Sequence, residues 1–322
     1  MKKKYLTLIA VALLLTACNT NEGSTDCSCL PDYDRTTLSI LTPTGAPALA
    51  FYNYAGLSNF ETNAAPATIS GQMAAGSKDV IVLPTNAGVK AIVDNKAPYK
   101  LAATITFGNF YIASLNNDDN QVMDENDTIL LFQKNNVPDK IFHYVYGDQF
   151  DSNIHYAADV SAVAQAVIAG KYSDPDTGTE YIPNYVMIAE PALTNVLSKK
   201  DTVSVYANVQ EKYKEKSSDQ QMYQASVFIK NTVSPIIGLS FLESLQMDIG
   251  EAIADPTRLS AGMNKDASPA EVFGVAPQMA ENVLKKNNGM GLGYKYARES
   301  KAAIETFLKL FNIEGLNEEI YY

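Results

Sequence analysis

Cysteine, histidine and arginine are scarce in this 322-residue chain, and each shortage excludes something. The three cysteines are Cys18, Cys27 and Cys29, so the body beyond residue 29 has neither a disulfide nor a thiol nucleophile. The two histidines, His143 and His155, are too far apart for a helix-face metal pair. Arginine occurs only at Arg35, Arg258 and Arg298, and the net charge is −11. Removing residues 1–17 takes three lysines away and leaves 22 basic against 36 acidic residues, a net −14. This balance excludes a nucleic-acid surface and a polybasic lipid-binding face. No Gly-x-Ser-x-Gly elbow, P-loop or metal-spaced His/Cys cluster is present. Gly289-x-Gly291-x-Gly293 follows a helical pattern rather than a strand and has the wrong spacing for a dinucleotide fingerprint. No metal or cofactor is therefore expected. Acid pairs such as Asp118-Asp119 and Asp124/Glu125/Asp127 sit in a polar stretch and read as a solvated loop.

Long apolar runs are equally few. Tyr5 to Leu15 is one, preceded by Lys2, Lys3 and Lys4 and followed by Leu15-Thr16-Ala17-Cys18. A basic start, a short apolar core and a small-residue cleavage site describe a secretory signal over 1–17. The run is shorter than the roughly 20 residues that span a bilayer. Its ending resembles the lipobox of bacterial lipoproteins, which implies lipidation of Cys18 and anchoring on the extracytoplasmic face of the cell membrane. Two acyl chains are enough for stable attachment. Residues 18–35 are polar and poor in aliphatics, as expected of a tether. Cys27 and Cys29 lie within it as C-x-C, a pair too close for an unstrained bridge and too few for a metal site.

The body alternates short aliphatic runs with capped helical patterns. Strand-like runs are Leu38–Leu41, Val80–Leu83, Thr128–Phe132, Asn153–Ala157 and Tyr185–Ile188. Helical patterns follow at Ala48–Ala55, Ala87–Val93, up to about Tyr146, at Val160–Ala169 and at Ala192–Leu197. This alternation predicts an α/β protein with mostly parallel sheets flanked by helices. The C-terminal third reads as helices over Leu239–Ile253, Pro256–Met263, Ala270–Lys286 and Lys295–Leu310. In an open parallel sheet the strand-to-helix turns gather at one edge, where ligands bind. That rule selects Thr44, Gly45, Ala46, Thr85, Asn86, Asn136, Asp159 and Glu190 as ligand-binding candidates, each of which could instead simply cap its helix. None of these turns contains Arg or Lys. Asp159 and Glu190 favour a neutral or amine-bearing heterocycle over a sulfonate, and Phe51, Tyr52, Phe107 and Tyr111 are candidates to stack on a flat ligand.

Several stretches carry a resemblance. Gly45-Ala46-Pro47-Ala48 follows the first strand, Asp79-Val80-Ile81-Val82-Leu83-Pro84 precedes a helix, and Tyr185-Val186-Met187-Ile188-Ala189-Glu190-Pro191-Ala192 ends a strand in an Ala-Glu-Pro-Ala-like element. With a closing helix near 297–311, their order resembles substrate-binding lipoproteins of ABC importers in the nitrate/sulfonate/taurine and thiamine-precursor group. The resemblance spans about 38–311. It implies the two-lobed type II periplasmic binding-protein fold, with lobe one at 36–110 plus 231–322 and lobe two at 111–230. Crossings are expected near Phe110–Leu115 and Ala225–Lys230. It further implies a monomer that captures a small molecule between its lobes and hands it to a permease and ATPase. Two alternatives are a sensor or surface-interaction lipoprotein without transport, and an enzyme of the menaquinone-pathway type on the same fold. The export signal argues against the latter.

Overall fold

The computed structural model describes residues 30–115, 122–218, 220–286 and 288–322. Cys18, Cys27, Cys29 and the Asp118-Asp119 pair lie outside the described residues.

The elements run in order β1 (Ile40–Pro43), α1 (Ala46–Leu49), β2 (Phe60–Asn63), α2 (Pro66–Ala75), β3 (Val80–Pro84), α3 (Thr85–Val93), β4 (Tyr99–Thr106) and β5 (Phe110–Ser114). Then come β6 (Ile129–Phe132), α4 (Val137–Tyr146), β7 (Ile154–Ala157), α5 (Val160–Ala169), the short β8 (Tyr172–Ser173) and β9 (Glu180–Tyr181), β10 (Tyr185–Ala189), α6 (Ala192–Leu197), β11 (Ser204–Asn208) and α7 (Val209–Lys216). The chain ends with β12 (Ala225–Lys230), α8 (Pro235–Ala254), α9 (Pro256–Met263), α10 (Pro269–Phe273), α11 (Pro277–Lys285), β13 (Leu292–Tyr296) and α12 (Lys301–Leu308).

Two sheets organise these elements. The first has strand order β13-β4-β12-β3-β1-β2, the second β11-β5-β10-β6-β7. β1 pairs in parallel with β2 and β3, and β6 with β7 and β10. Of these, β1, β3, β6, β7 and β10 fall on the predicted aliphatic runs, whereas β2 has no such run. Each sheet also contains antiparallel pairings. β12 runs antiparallel to β3 and β4, β13 to β4, and β5 to β10 and β11. β5, on which the chain enters the second sheet, and β12, on which it re-enters the first, run back against the βαβ direction.

The first sheet is covered on both faces, which explains its continuous apolar runs. Side chains alternate between faces: Leu41, Ile81, Leu83 and Phe228 join a core shared with the second sheet, while Ile40, Val80, Val82, Val227 and Ile229 join a separate core under α8 and α9.

Three expectations are corrected. Residues 48–55 do not form one helix: α1 is four residues, and a 3-10 turn at Tyr52–Tyr54 follows. The helix expected at 270–286 is broken into α10 and α11 by Gly274, whose φ of 69° is left-handed, and by Pro277 opening the next helix. The helix expected at 295–310 begins only at Lys301, because 292–296 is claimed by pairing with β4. The expected crossing segments are themselves sheet strands, β5 and β12. The chain passes between sheets at 107–109 and again between α7 and β12.

The polar N-terminal segment joins the body slightly before residue 36. The Tyr33 ring meets Phe241 edge-on at 5.6 Å. The Arg35 guanidinium grips both oxygens of the buried Asp248 on α8, at 2.7 and 3.0 Å, and Asn53 Nδ2 donates to the same carboxylate at 2.9 Å. Among the described residues no helix is long and apolar enough to cross a membrane.

Candidate functional site

The strand-to-helix turns of both sheets converge on one open cavity of about 1100 Å³. From the first sheet, β1 ends at Pro43 and the chain turns through Thr44 and Gly45. Gly45 has φ 87°, a conformation open to glycine, and its N–H donates to the Phe273 carbonyl at 2.8 Å. Pro47 then opens α1 within its first turn. Thr44, Gly45, Ala46 and Pro47 all line the cavity, as do Gly274 and Val275 beside them. At the next turn, Asn86 lines the cavity with its side-chain oxygen buried and without a partner.

The second sheet supplies the opposite wall. Phe132 ends β6 and Gln133 follows it, Asn136 precedes α4 without capping it through its side chain, and Ser161, Ala164 and Gln165 face the cavity from α5. β10 is buried along its whole length and delivers Glu190 to the cavity edge. The carboxylate accepts from the Thr194 backbone N–H at 2.9 Å and from its hydroxyl at 2.8 Å. Burial pushes the Glu190 carboxyl above its usual range, a shift that the Thr194 bonds and the charge of Lys286 only partly offset.

The site therefore brings together Thr44, Gly45, Ala46, Asn86, Asn136 and Glu190. Thr85 and Asp159 are not among the lining residues. Thr85 is fully buried one layer behind: its N–H donates to the Gln224 carbonyl at 3.0 Å, and its hydroxyl meets that of Ser226 at 2.7 Å. Asp159 is an exposed helix cap whose Oδ1 accepts from the Ala162 N–H at 2.9 Å. The aromatic candidates do not line the cavity either. Phe51 and Tyr52 are core, Phe107 packs edge-on against Tyr223, and the rings at the cavity are Phe110 and Phe132.

Sequence reasoning missed Asn109, Gln224 and Lys199. The first two sit on the passages between the sheets, where no strand-to-helix signal exists. Lys199 follows α6 and supplies an exposed ammonium to a lining otherwise free of basic residues. Away from the cavity, His143, Asp148 and Asp151 bring three ligand-type atoms within 4.8 Å at the end of α4. There the His143 Nδ1 bonds the Asp139 carbonyl at 2.8 Å and its Nε2 the Asp151 carboxylate at 2.9 Å.

Comparison with known proteins identifies the fold. No protein-family model matches the chain, and no curated protein matches it by sequence. Solved structures do. An ABC transporter structure from Parabacteroides distasonis is similar at TM-score 0.67 and 18% identity, covering 86% of this chain and 92% of that one. The periplasmic aliphatic sulphonate binding protein SsuA from Escherichia coli is similar at TM-score 0.59 and 11% identity, over 85% of each chain. The alkanesulfonate-binding protein SsuA from Xanthomonas axonopodis pv. citri, bound to MOPS, is similar at 0.53 and 14%, over 88% and 94%. The chain has the type II periplasmic binding-protein fold, and its cavity lies at the carboxyl edge of the parallel strands of both sheets.

Proposed function

We propose that this protein is the extracytoplasmic substrate-binding component of an ABC importer, anchored by a lipid on Cys18. It captures a small polar organic molecule and delivers it to a permease and ATPase in the membrane. The observation that carries this reading is the single cavity lined by turns from both sheets, of a size suited to a small molecule. We take the lobes to follow the two sheets, with residues 36–106 and 225–322 around the first and 110–208 around the second, and the monomer to close them around its ligand by bending at the two passages. The role is binding rather than catalysis, since the lining offers one carboxylate and one ammonium but no nucleophile–base pair.

Mass spectrometry of small molecules released from the purified body, followed by calorimetric titration of what is found, tests the reading. A saturable one-to-one complex is expected. A protein that releases nothing and binds no member of a metabolite library would overturn it. In cells, Cys18→Ser should shift the protein out of the membrane fraction and change its N-terminal mass. An unchanged distribution and mass would refute the anchor.

A further inference from the structure

The polar groups at the cavity have an orientation that can be worked out. The Glu190 backbone carbonyl can only accept, and it is 2.8 Å from the Asn109 side-chain nitrogen. Asn109 must therefore present its NH2 to that carbonyl and its Oδ1 the other way. Oδ1 in turn accepts from the Gln224 side-chain NH2 at 3.3 Å. This chain fixes the Gln224 amide, and its Oε1 is left buried without a partner on a residue that lines the cavity. The ambiguity that usually attends amide orientation is removed here by the carbonyl at the head of the relay.

Beside the unpartnered Asn86 Oδ1, two acceptors of fixed orientation thus stand at the cavity on different segments of the chain: Gln224 Oε1 and the Glu190 carboxylate. Each carboxylate oxygen uses one lone pair on Thr194 and keeps another. Glu190 is 8% exposed and has no salt bridge among the described residues. Lys199 is the one basic side chain in the lining, and it is exposed. Arg35, Arg258 and Arg298 all lie elsewhere in the fold, bonded to Asp248, Glu251 and the C-terminal backbone. A group that only accepts would leave Gln224 unpaired and face a desolvated carboxylate.

Building on the proposed function, we infer that the ligand carries a cationic nitrogen with N–H donors, held by Glu190, and a further donor taken by Gln224. The buried carboxyl, pushed up by desolvation that the Thr194 bonds and the charge of Lys286 only partly offset, is the group that such a nitrogen would satisfy. This sets the cavity apart from one built for a sulfonate, a group rich in acceptors.

The test uses two probe sets on the purified full-length body, read by thermal shift and then by calorimetry. One set holds primary amines, amidines and aminated heterocycles; the other holds nitrate, methanesulfonate and ethanesulfonate. Stabilisation confined to the first set is expected. For the best amine, Glu190→Gln should weaken binding about tenfold or more and Gln224→Leu somewhat less, with the melting temperature of the free protein kept near that of the parent. Stabilisation by the anions alone overturns this inference and leaves the importer reading standing. Glu190→Gln binding the amine like the parent also overturns it. Silence from both sets, with nothing released from the purified protein, overturns both readings together.

Discussion

Asn109 and Glu190 are bonded to each other twice: the Asn109 side chain donates to the Glu190 carbonyl at 2.8 Å, and the Glu190 N–H donates to the Asn109 carbonyl at 3.0 Å. The first passage between the sheets is thereby tied to the turn that presents the cavity carboxylate. Asn109→Asp keeps the shape, removes the donor and sets a second carboxylate against an acceptor. The urea-unfolding free energy should fall by about 1–3 kcal/mol, the usual loss when a buried partner is removed. An unchanged unfolding midpoint would show that the side-chain bond contributes nothing.

Asp159 separates capping from binding. Its side chain satisfies one N–H at the start of α5 and is absent from the cavity lining. Asp159→Ala should lower stability by about 0.5–2 kcal/mol while the released ligand binds the folded protein as before. Calorimetry showing a tenfold loss of affinity would put Asp159 in the site after all.

Glu190 should leave a mark on stability against pH. Its carboxyl is raised by burial, so the folded state favours the protonated form over the unfolded chain. Stability is then lost as pH rises from about 4.5 through the raised folded-state value, and the penalty is complete above it. Glu190→Gln should flatten that part of the curve and leave the melting temperature at pH 7 equal to or above the parent's. A clear drop at pH 7 would mean that the two Thr194 bonds outweigh the burial of the charge.

His143 acts in the opposite sense. Burial alone lowers its pKa, but the bonds to the Asp139 carbonyl and Asp151, with the charges of both carboxylates, outweigh burial and raise it above 6.5. The stability it contributes is complete below pH 6.5 and fades as pH rises through the raised value. His143→Gln should make the melting temperature less dependent on pH above 6.5. Parallel curves for parent and variant would refute the coupling.

The Arg35 to Asp248 pair can be weighed by a double-mutant cycle. Asp248 is buried and Arg35 about a third exposed, so solvent moderates the attraction. Arg35→Ala alone strands the carboxylate and should cost about 1–3 kcal/mol. In an Asp248→Asn background the same change should cost clearly less. Additive losses would show that the pair is not coupled.

How far the sequence could be read depended on what set each element. α5 was legible to its bounds because Asp159 and Gly170 mark its ends and an apolar stripe runs between them. β3 was legible because four buried aliphatics stand together. β13 was not: Gly293 and Lys295 interrupt its pattern, and only the approach of β4 makes Leu292–Tyr296 a strand. The same division holds at the cavity. Glu190 could be found, since it follows an unbroken apolar strand. Asn109 and Gln224 could not, because their positions depend on which strands pair across the molecule. Asp159, read as a ligand candidate, caps α5 outside the lining, because a carboxylate at a helix start signals a cap and a ligand contact alike.

The pairing of Thr106 with Ala225 has a consequence for how the chain must fold. These residues sit side by side on β4 and β12, yet they are 119 positions apart in sequence. The first sheet has β12 in its middle, between β4 and β3. Until Ala225–Lys230 arrives, β3 and β4 have no strand between them, and both are long, apolar and open to pairing with another molecule. Closing so wide a gap is slow, because its entropy is lost before the contacts that reward it form. The second sheet, whose strands all lie within 110–208, can assemble from its own segment, and its formation shortens the gap that β12 must close to reach β3 and β4. A chain stalled midway would display the β3 and β4 edges, and aggregation during refolding should be suppressed by an added peptide with the sequence of β12.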